Sequence, residues 1–161
     1  MVFELESGLV HNSIFLTHFT SLRPSELSMV ERMMDEVSVI CQAKAIPFQK
    51  YVVPSGDDLI RALVEIEAAA RNGLKPLICL DMHRSAVEGV EIAATNEMVR
   101  WERVVNSLRA INRETGNNLL VAARVCCGFF AISESIVADH APFYMLIAPD
   151  QDHLRAWGEA R

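Results

Sequence analysis

Short apolar runs alternate along the chain with longer stretches in which apolar residues recur every three or four positions. Runs of roughly four to eight apolar residues are typical of buried strands, and the longer spacing is typical of helices that pack one face on a sheet. Strands that alternate with helices predict a mostly parallel sheet covered on both faces. We therefore expect an α/β fold, a three-layer αβα sandwich formed by a single domain over residues 1–161.

The apolar runs predict five strands, at 13–17, 48–53, 76–82, 119–125 and 143–148. The third and fourth runs are continuously apolar, which indicates burial on both faces and a central position in the sheet. A small antiparallel hairpin is predicted directly after the third strand, at 87–92 and 97–100.

Helical spacing predicts helices between these strands, at 24–45, from the acidic residues Asp57 and Asp58 after the stop at Pro54 to Asn72, at 101–111, at 129–136 and at 151–157. Gly73 follows the second helix, where glycine readily takes the left-handed conformation that ends helices. The first helix carries an apolar stripe that we expect to pack on the sheet, formed by Leu27, Val30, Met33 or Met34, Val37 and Ile40.

Charge and hydropathy exclude several classes of function. The formal net charge is −6, and no run of Lys or Arg forms a basic stripe, so we expect no nucleic-acid partner. No apolar run reaches the length that a bilayer requires, so we expect no membrane association. The first nine residues include Glu4 and Glu6 and lack a basic region, so we expect no secretory signal and a cytoplasmic location.

The four cysteines are Cys41, Cys79, Cys126 and Cys127. Their spacing fits neither a disulfide framework nor a paired-cysteine metal site, and the five histidines are scattered. We therefore expect free thiols, no metal and no cofactor. A free thiol either packs as a small apolar group or reacts as a thiolate.

Two residues with catalytic chemistry follow the two most apolar runs. His83 comes after the strand at 76–82, and Cys126 comes after the strand at 119–125. Catalytic groups of parallel α/β sheets collect at the carboxyl edge, so neighbouring strands would bring the imidazole and the thiol together. The imidazole can take the thiol proton, and the resulting thiolate attacks a carbonyl carbon. Structural packing of either side chain is the alternative.

Four further residues are candidates for a supporting or oxyanion role. Asp81 shares a strand face with His83 and either orients the imidazole or forms an ordinary structural ion pair. Arg84 either binds an acidic substrate group or points to solvent. Cys127 is expected to pack in the interior, and Gly128 permits close approach of a substrate backbone at the turn.

These stretches resemble the caspase-like fold of clan CD cysteine peptidases, most closely the small CHAT-type domains. The resemblance lies in an apolar strand ending in His83, a hairpin followed by an amphipathic helix, and a second apolar strand followed by Cys126-Cys127-Gly128. It covers roughly residues 13–150 and implies that His83 is the catalytic histidine and Cys126 the nucleophile. Family members usually carry glycine directly after the histidine, whereas this chain has Arg84.

Three hypotheses follow for the function. The first is a cysteine hydrolase of the peptidase type that acts on a peptide or protein through a His83/Cys126 dyad. The second is a caspase-like domain without catalysis that serves as an interaction or regulatory module, an alternative that Arg84 favours. The third is a flavodoxin-like binder of a small molecule, because the same alternation of strands and helices serves many functions. Against the third, the segment after the first strand, Thr17 to Ser21, has no glycine.

Overall fold

The computed structural model describes residues 14–85, 88–123 and 140–148. Within these ranges the chain forms seven strands, β1 Ile14–Ser21, β2 Phe48–Val52, β3 Lys75–Ser85, β4 Gly89–Ile92, β5 Glu97–Arg100, β6 Leu120–Ala123 and β7 Met145–Ile147. The helices of the same ranges are α1 Pro24–Ala43, α2 Gly56–Arg71 and α3 Trp101–Glu114. The helices predicted at 129–136 and 151–157 lie outside the described residues.

Five of the strands form a parallel sheet in the order β2-β1-β3-β6-β7. The two continuously apolar strands, β3 and β6, are interior strands of this sheet, as the sequence predicted. The hairpin of β4 and β5 is antiparallel and joins the end of β3, which confirms the hairpin after the strand that carries His83.

The sheet has one helix on one face and two on the other, which confirms the three-layer α/β class. The connection from β1 to β2 crosses the sheet in one direction, and those from β2 to β3 and from β3 to β6 cross in the opposite direction. Because parallel crossovers are right-handed, α1 covers the face opposite to α2 and α3. The main apolar core lies between the sheet and the α2/α3 layer, and Phe19, Leu63, Ile78 and Ile111 are fully buried there.

Helix α1 buries a narrower stripe than the sequence predicted. Val30, Met34 and Cys41 are buried, whereas Ile40 is 60% exposed. Each residue of an α-helix is rotated by about 100° from the previous one, so Ile40 points well away from the buried line that ends at Cys41. The expectation that Ile40 packs on the sheet is therefore wrong.

Helix α2 begins at the tip of the hairpin. The Ser55 hydroxyl accepts a hydrogen bond from the Asp58 N–H at 3.2 Å, which caps the first turn. The Gly56 N–H, a helix-terminal donor without an intrahelical partner, donates to Glu97 of β5 at 2.8 Å. The chain leaves the helix through Gly73, whose φ of 92° is the left-handed conformation predicted for it.

Asn112 of α3 connects three segments of the chain. Its amide nitrogen donates to the carbonyl of Ala141 at 2.8 Å and to the side chain of Asn117 at 3.2 Å. Its amide oxygen accepts from the N–H of Leu119 at 3.1 Å, directly before β6. The side chain is fully buried, so these bonds fix the start of β6 and the approach to β7 against the helix.

Within the described residues, no helix combines the length and the apolar character needed to cross a membrane.

Candidate functional site

The carboxyl ends of three parallel strands lie at one edge of the sheet. β1 ends at Ser21, β3 continues to Ser85, and the described part of β6 ends at Ala123. β3 and β6 are direct neighbours, with Leu77 beside Leu120 and Leu80 beside Ala123. The strand that carries His83 and the strand that leads to Cys126 are therefore adjacent and run in the same direction.

His83 lies on an extension of β3 beyond the parallel sheet. The strand pairs with β1 as far as Met82 and then with β4, where His83 lies opposite Glu91. The side chain of His83 is half-buried. Pairing of β3 with β1 before His83 and with β4 from His83 onward fixes the backbone at this position, while the half-buried imidazole still reaches solvent.

Asp81 and His83 share one face of β3, as the strand period predicted. Leu80 and Met82, the residues on either side of Asp81, are buried in the core between the sheet and the α2/α3 layer. Asp81 is 3% exposed, and its residue pairs with Thr20 of β1. The Asp81 side chain therefore lies on the face of the sheet opposite to the α2/α3 layer.

Glu91 belongs to the same face, and sequence reasoning missed it. Its neighbours Val90 and Ile92 are fully buried, while Glu91 is half-buried opposite His83. Arg23, which follows β1, contacts the Glu91 carboxylate at 3.3 Å. The alternation of Val90, Glu91 and Ile92 was a readable signal that Glu91 faces away from the core, but its pairing with His83 depends on the hairpin register.

The hairpin lies on the β1 side of β3. The Ala93 N–H donates to the Ser21 hydroxyl at 2.9 Å, and the same hydroxyl donates to the carbonyl of Val53 at 3.3 Å. β4 thus continues the line of β1 beyond Ser21, so the hairpin does not cover the side of β3 that faces β6.

The remaining predicted site residues fall partly or wholly outside the described part of the chain. The backbone of Arg84 pairs with Val90, and the prediction for the Arg84 side chain lies outside what is described. Cys126, Cys127 and Gly128 lie in the gap between 123 and 140. Their roles therefore stay predictions.

Cys41 is buried in α1, and Cys79 is half-buried on β3. Cys79 shares the face of Asp81 and His83, two positions before Asp81. In the ranges 14–85, 88–123 and 140–148, no group of three His, Cys, Asp or Glu side chains could hold a metal ion.

Comparison with protein-family models, with curated proteins and with solved structures found no match for this chain.

Proposed function

We propose that the chain is a cysteine hydrolase of the peptidase type, with Cys126 as nucleophile and His83 as general base. The observation that carries the proposal is the direct parallel pairing of β3 with β6. Two strands distant in the chain had to be neighbours for an imidazole and a sulfur to meet, and they are neighbours.

The strand register favours this pair of residues over others. Leu80 lies beside Ala123, and the pairing is constant over four consecutive residue pairs. His83 is three positions after Leu80, and Cys126 is three positions after Ala123. If the pairing extends by three positions, the same register would bring Cys126 beside His83.

Side-chain alternation supports the same assignment. Val121 and Ala123 face the buried core, whereas Leu120 and Ala122 are half-buried on the face of Cys79 and Asp81. Cys126 is an even number of positions after Leu120 and Ala122, so continuation of the strand would put it on their face.

The chemistry requires only these two groups and a substrate carbonyl. The imidazole of His83 takes the proton of the Cys126 thiol, and the thiolate adds to the carbonyl carbon. The C–N bond breaks, the amine leaves with the proton from the imidazolium, and a thioester to Cys126 remains. Water then attacks the thioester, His83 accepts its proton, and release of the acid returns the thiol.

Neighbouring groups have supporting roles in this proposal. Asp81 and Glu91 share the face of His83 and are the candidates to orient its imidazole. Backbone N–H groups of Cys127 and Gly128 would stabilise the oxyanion. The N–H of Arg84, which stands where family members have glycine, can donate in the same way.

Selective alkylation tests the proposal. The folded chain is treated with a limiting amount of iodoacetamide near neutral pH, and each cysteine is quantified by peptide mass spectrometry. We expect Cys126 to react at least roughly tenfold faster than Cys41 and Cys79, because a histidine that accepts the thiol proton raises the thiolate fraction. His83→Ala should abolish this advantage.

His153→Ala serves as the matched histidine control and should leave the labelling pattern unchanged. Both variants are first shown to unfold at the same urea concentration as the parent chain. Equal, slow labelling of all four thiols in the folded parent would contradict the dyad. Two results together would favour the interaction module. The parent chain and the Cys126→Ser variant would bind a protein partner with the same affinity, and the thiols of the parent chain would label at equal rates.

The proposed chemistry also suggests a compartment and a partner. A nucleophilic thiol needs reducing conditions to persist. We therefore place the protein in the cytoplasm, with a peptide or protein as substrate.

The strand order favours a second candidate, a flavodoxin-like binder. The five parallel strands, numbered in chain order among themselves, have the order 2-1-3-4-5 that such binders share, with the ligand crevice between the first and third strands. The connection from β1 to α1, Leu22-Arg23, has no glycine to approach a phosphate. Flavin absorbance in the purified protein would support this candidate, and its absence together with selective Cys126 labelling would exclude it.

A further inference from the structure

Strand β2 is an edge of the sheet, and within the described residues it pairs only with β1. The N–H of Val53 donates to the carbonyl of Thr20 at 3.0 Å, so the backbone groups of Val53 and, by alternation, Tyr51 face β1. Those of Lys50 and Val52 therefore face outward. An outward row of backbone donors and acceptors is a template for another extended segment.

A cavity of about 270 Å³ lies where this edge meets the first turns of α2. It is bounded by the end of β2 and by one side of the helix, and its lining residues are Tyr51, Val52, Val53, Pro54, Asp58, Arg61, Ala62 and Glu65. The lining is apolar near the strand and charged along the helix. Such a space suits one long side chain with an apolar stem and a polar end.

Tyr51 forms a fixed wall of the cavity. Its ring stacks on Phe19, with ring centroids 5.0 Å apart and planes inclined by 11°. Its hydroxyl donates to the Glu65 carboxylate at 3.4 Å. The ring therefore presents an aromatic surface next to a carboxylate, a combination that attracts a cation.

The charges of the cavity favour a basic occupant. Asp58 and Glu65 contribute two carboxylates, and Arg61 contributes one guanidinium, which contacts Asp58. Glu65 lies four residues after Arg61, about one helical turn further along α2, and borders the cavity beside Tyr51. A Lys or Arg side chain that reached Glu65 would gain a charge-assisted hydrogen bond.

An added strand would direct a side chain into this cavity. A segment that pairs with the outer edge of β2 lies about 4.8 Å away, and residues opposite each other share a face of the sheet. Tyr51 pairs with the core residue Phe19, so the residue opposite Tyr51 would lie on the α2 side, where the cavity is.

We propose that the outer edge of β2 and the adjoining cavity bind an extended peptide, which adds as a strand and inserts a Lys or Arg side chain beside Tyr51 and Glu65. This site is independent of the proposed hydrolase centre, because it lies at the β2 edge rather than beside β3 and β6. Backbone pairing supplies the affinity, and the cavity selects the basic residue.

Binding of a defined peptide tests the site. The probe is a short, end-blocked peptide of Thr and Val around one central Lys, labelled with fluorescein and titrated with the full chain while anisotropy is recorded. We expect saturable binding, weakened at least roughly tenfold when the central Lys is replaced by norleucine, which keeps the apolar stem and removes the charge.

Two variants separate the cavity from the edge. Glu65→Gln removes the carboxylate charge and should weaken the Lys peptide roughly tenfold while leaving the norleucine peptide unaffected. Lys50→Pro removes an outward N–H from an edge strand, where proline is tolerated, and should weaken both peptides. Glu31→Gln on α1, an exposed carboxylate on the other face of the sheet, is the matched control and should change neither.

The proposal is overturned if the full chain fails to bind the Lys peptide, or if norleucine and Glu65→Gln leave the affinity unchanged. Self-association is the competing use of the edge. A chain that sediments as a dimer, becomes a monomer with Lys50→Pro and binds no peptide would assign β2 to a second copy and contradict the proposal.

Discussion

Tyr51 is a residue whose pKa the fold changes. Burial of the phenol raises its pKa above the ordinary value of 10.0, and the charge of Glu65 and its hydrogen bond raise it further. The neutral phenol is therefore favoured in the folded chain. The stabilisation that results is fully present below pH 10.0 and is lost as the pH rises through the higher pKa of the folded state.

This shift predicts a pH-dependent signal. The chain has two tyrosines, so a Tyr144→Phe background leaves Tyr51 as the only reporter. We expect its tyrosinate absorbance in the folded protein to appear at higher pH than in urea. Glu65→Gln should lower the midpoint but not return it fully, because burial is the largest cause of the shift. Identical titrations in the folded and unfolded states would contradict the described surroundings of Tyr51.

At the scale of single residues, the sequence predicted that Asp81 and His83 share a face of the sheet, but it did not predict that Glu91 lies opposite His83. Asp81 and His83 could be assigned to one face because strand alternation is local. Glu91 could not be assigned as a neighbour of His83, because the hairpin register sets which residues oppose each other. Ile40 was assigned wrongly because apolar spacing alone does not say how wide a stripe the sheet covers.

The elements themselves were predictable, and their ends less so. Pro24 marked the start of α1, Pro54 and Gly73 bracketed α2, and continuous apolarity marked β3 and β6 as interior strands. β3 runs three residues beyond the predicted Met82, because its end pairs with β4 rather than with another apolar strand. Such an extension depends on a partner that local sequence does not reveal.

The start of α2 provides a prediction at the scale of elements. A Cβ added to Gly56 would overlap the Glu97 side chain and would approach Cγ2 of Val99 to 2.7 Å. Gly56→Ala should therefore destabilise the chain by about 1–3 kcal/mol, although alanine is the better helix former. The free energy of unfolding in urea measures the effect.

Glu97→Ala tests the cause. It removes the carboxylate that accepts the Gly56 N–H and should cost about 1 kcal/mol alone. Because the two changes act on one contact, the double variant should be less destabilised than the sum of the two single variants. Strict additivity would show that the overlap with Glu97 is not the source of the cost.

At the scale of the whole molecule, the strand order could not be predicted from the sequence. Apolarity indicated that β3 and β6 are interior, but it did not indicate that they are neighbours, because pairing between distant segments leaves no local pattern. Nor did the sequence predict which apolar side chains of the described residues are exposed to solvent. Ile78 and Ile40 have the same side chain, yet Ile78 is fully buried and Ile40 is 60% exposed.

These two isoleucines provide a matched test of the layer arrangement. Ile78→Ala should destabilise the chain by about 2–5 kcal/mol, because it opens a cavity in the core between the sheet and the α2/α3 layer. Ile40→Ala should change the free energy of unfolding by less than about 0.5 kcal/mol. A large cost at Ile40 would mean that the outer side of α1 is covered in the complete protein.

The buried amide of Asn112 has a consequence for how the molecule opens. It joins α3 to the backbone before β6 and to the carbonyl of Ala141 on the approach to β7. Releasing any of these segments leaves a buried polar group without its partner, so partial release is costly. Amide hydrogens of α3, β6 and β7 should accordingly exchange with solvent as one cooperative unit, whereas those of the outlying strand β2 exchange by smaller fluctuations.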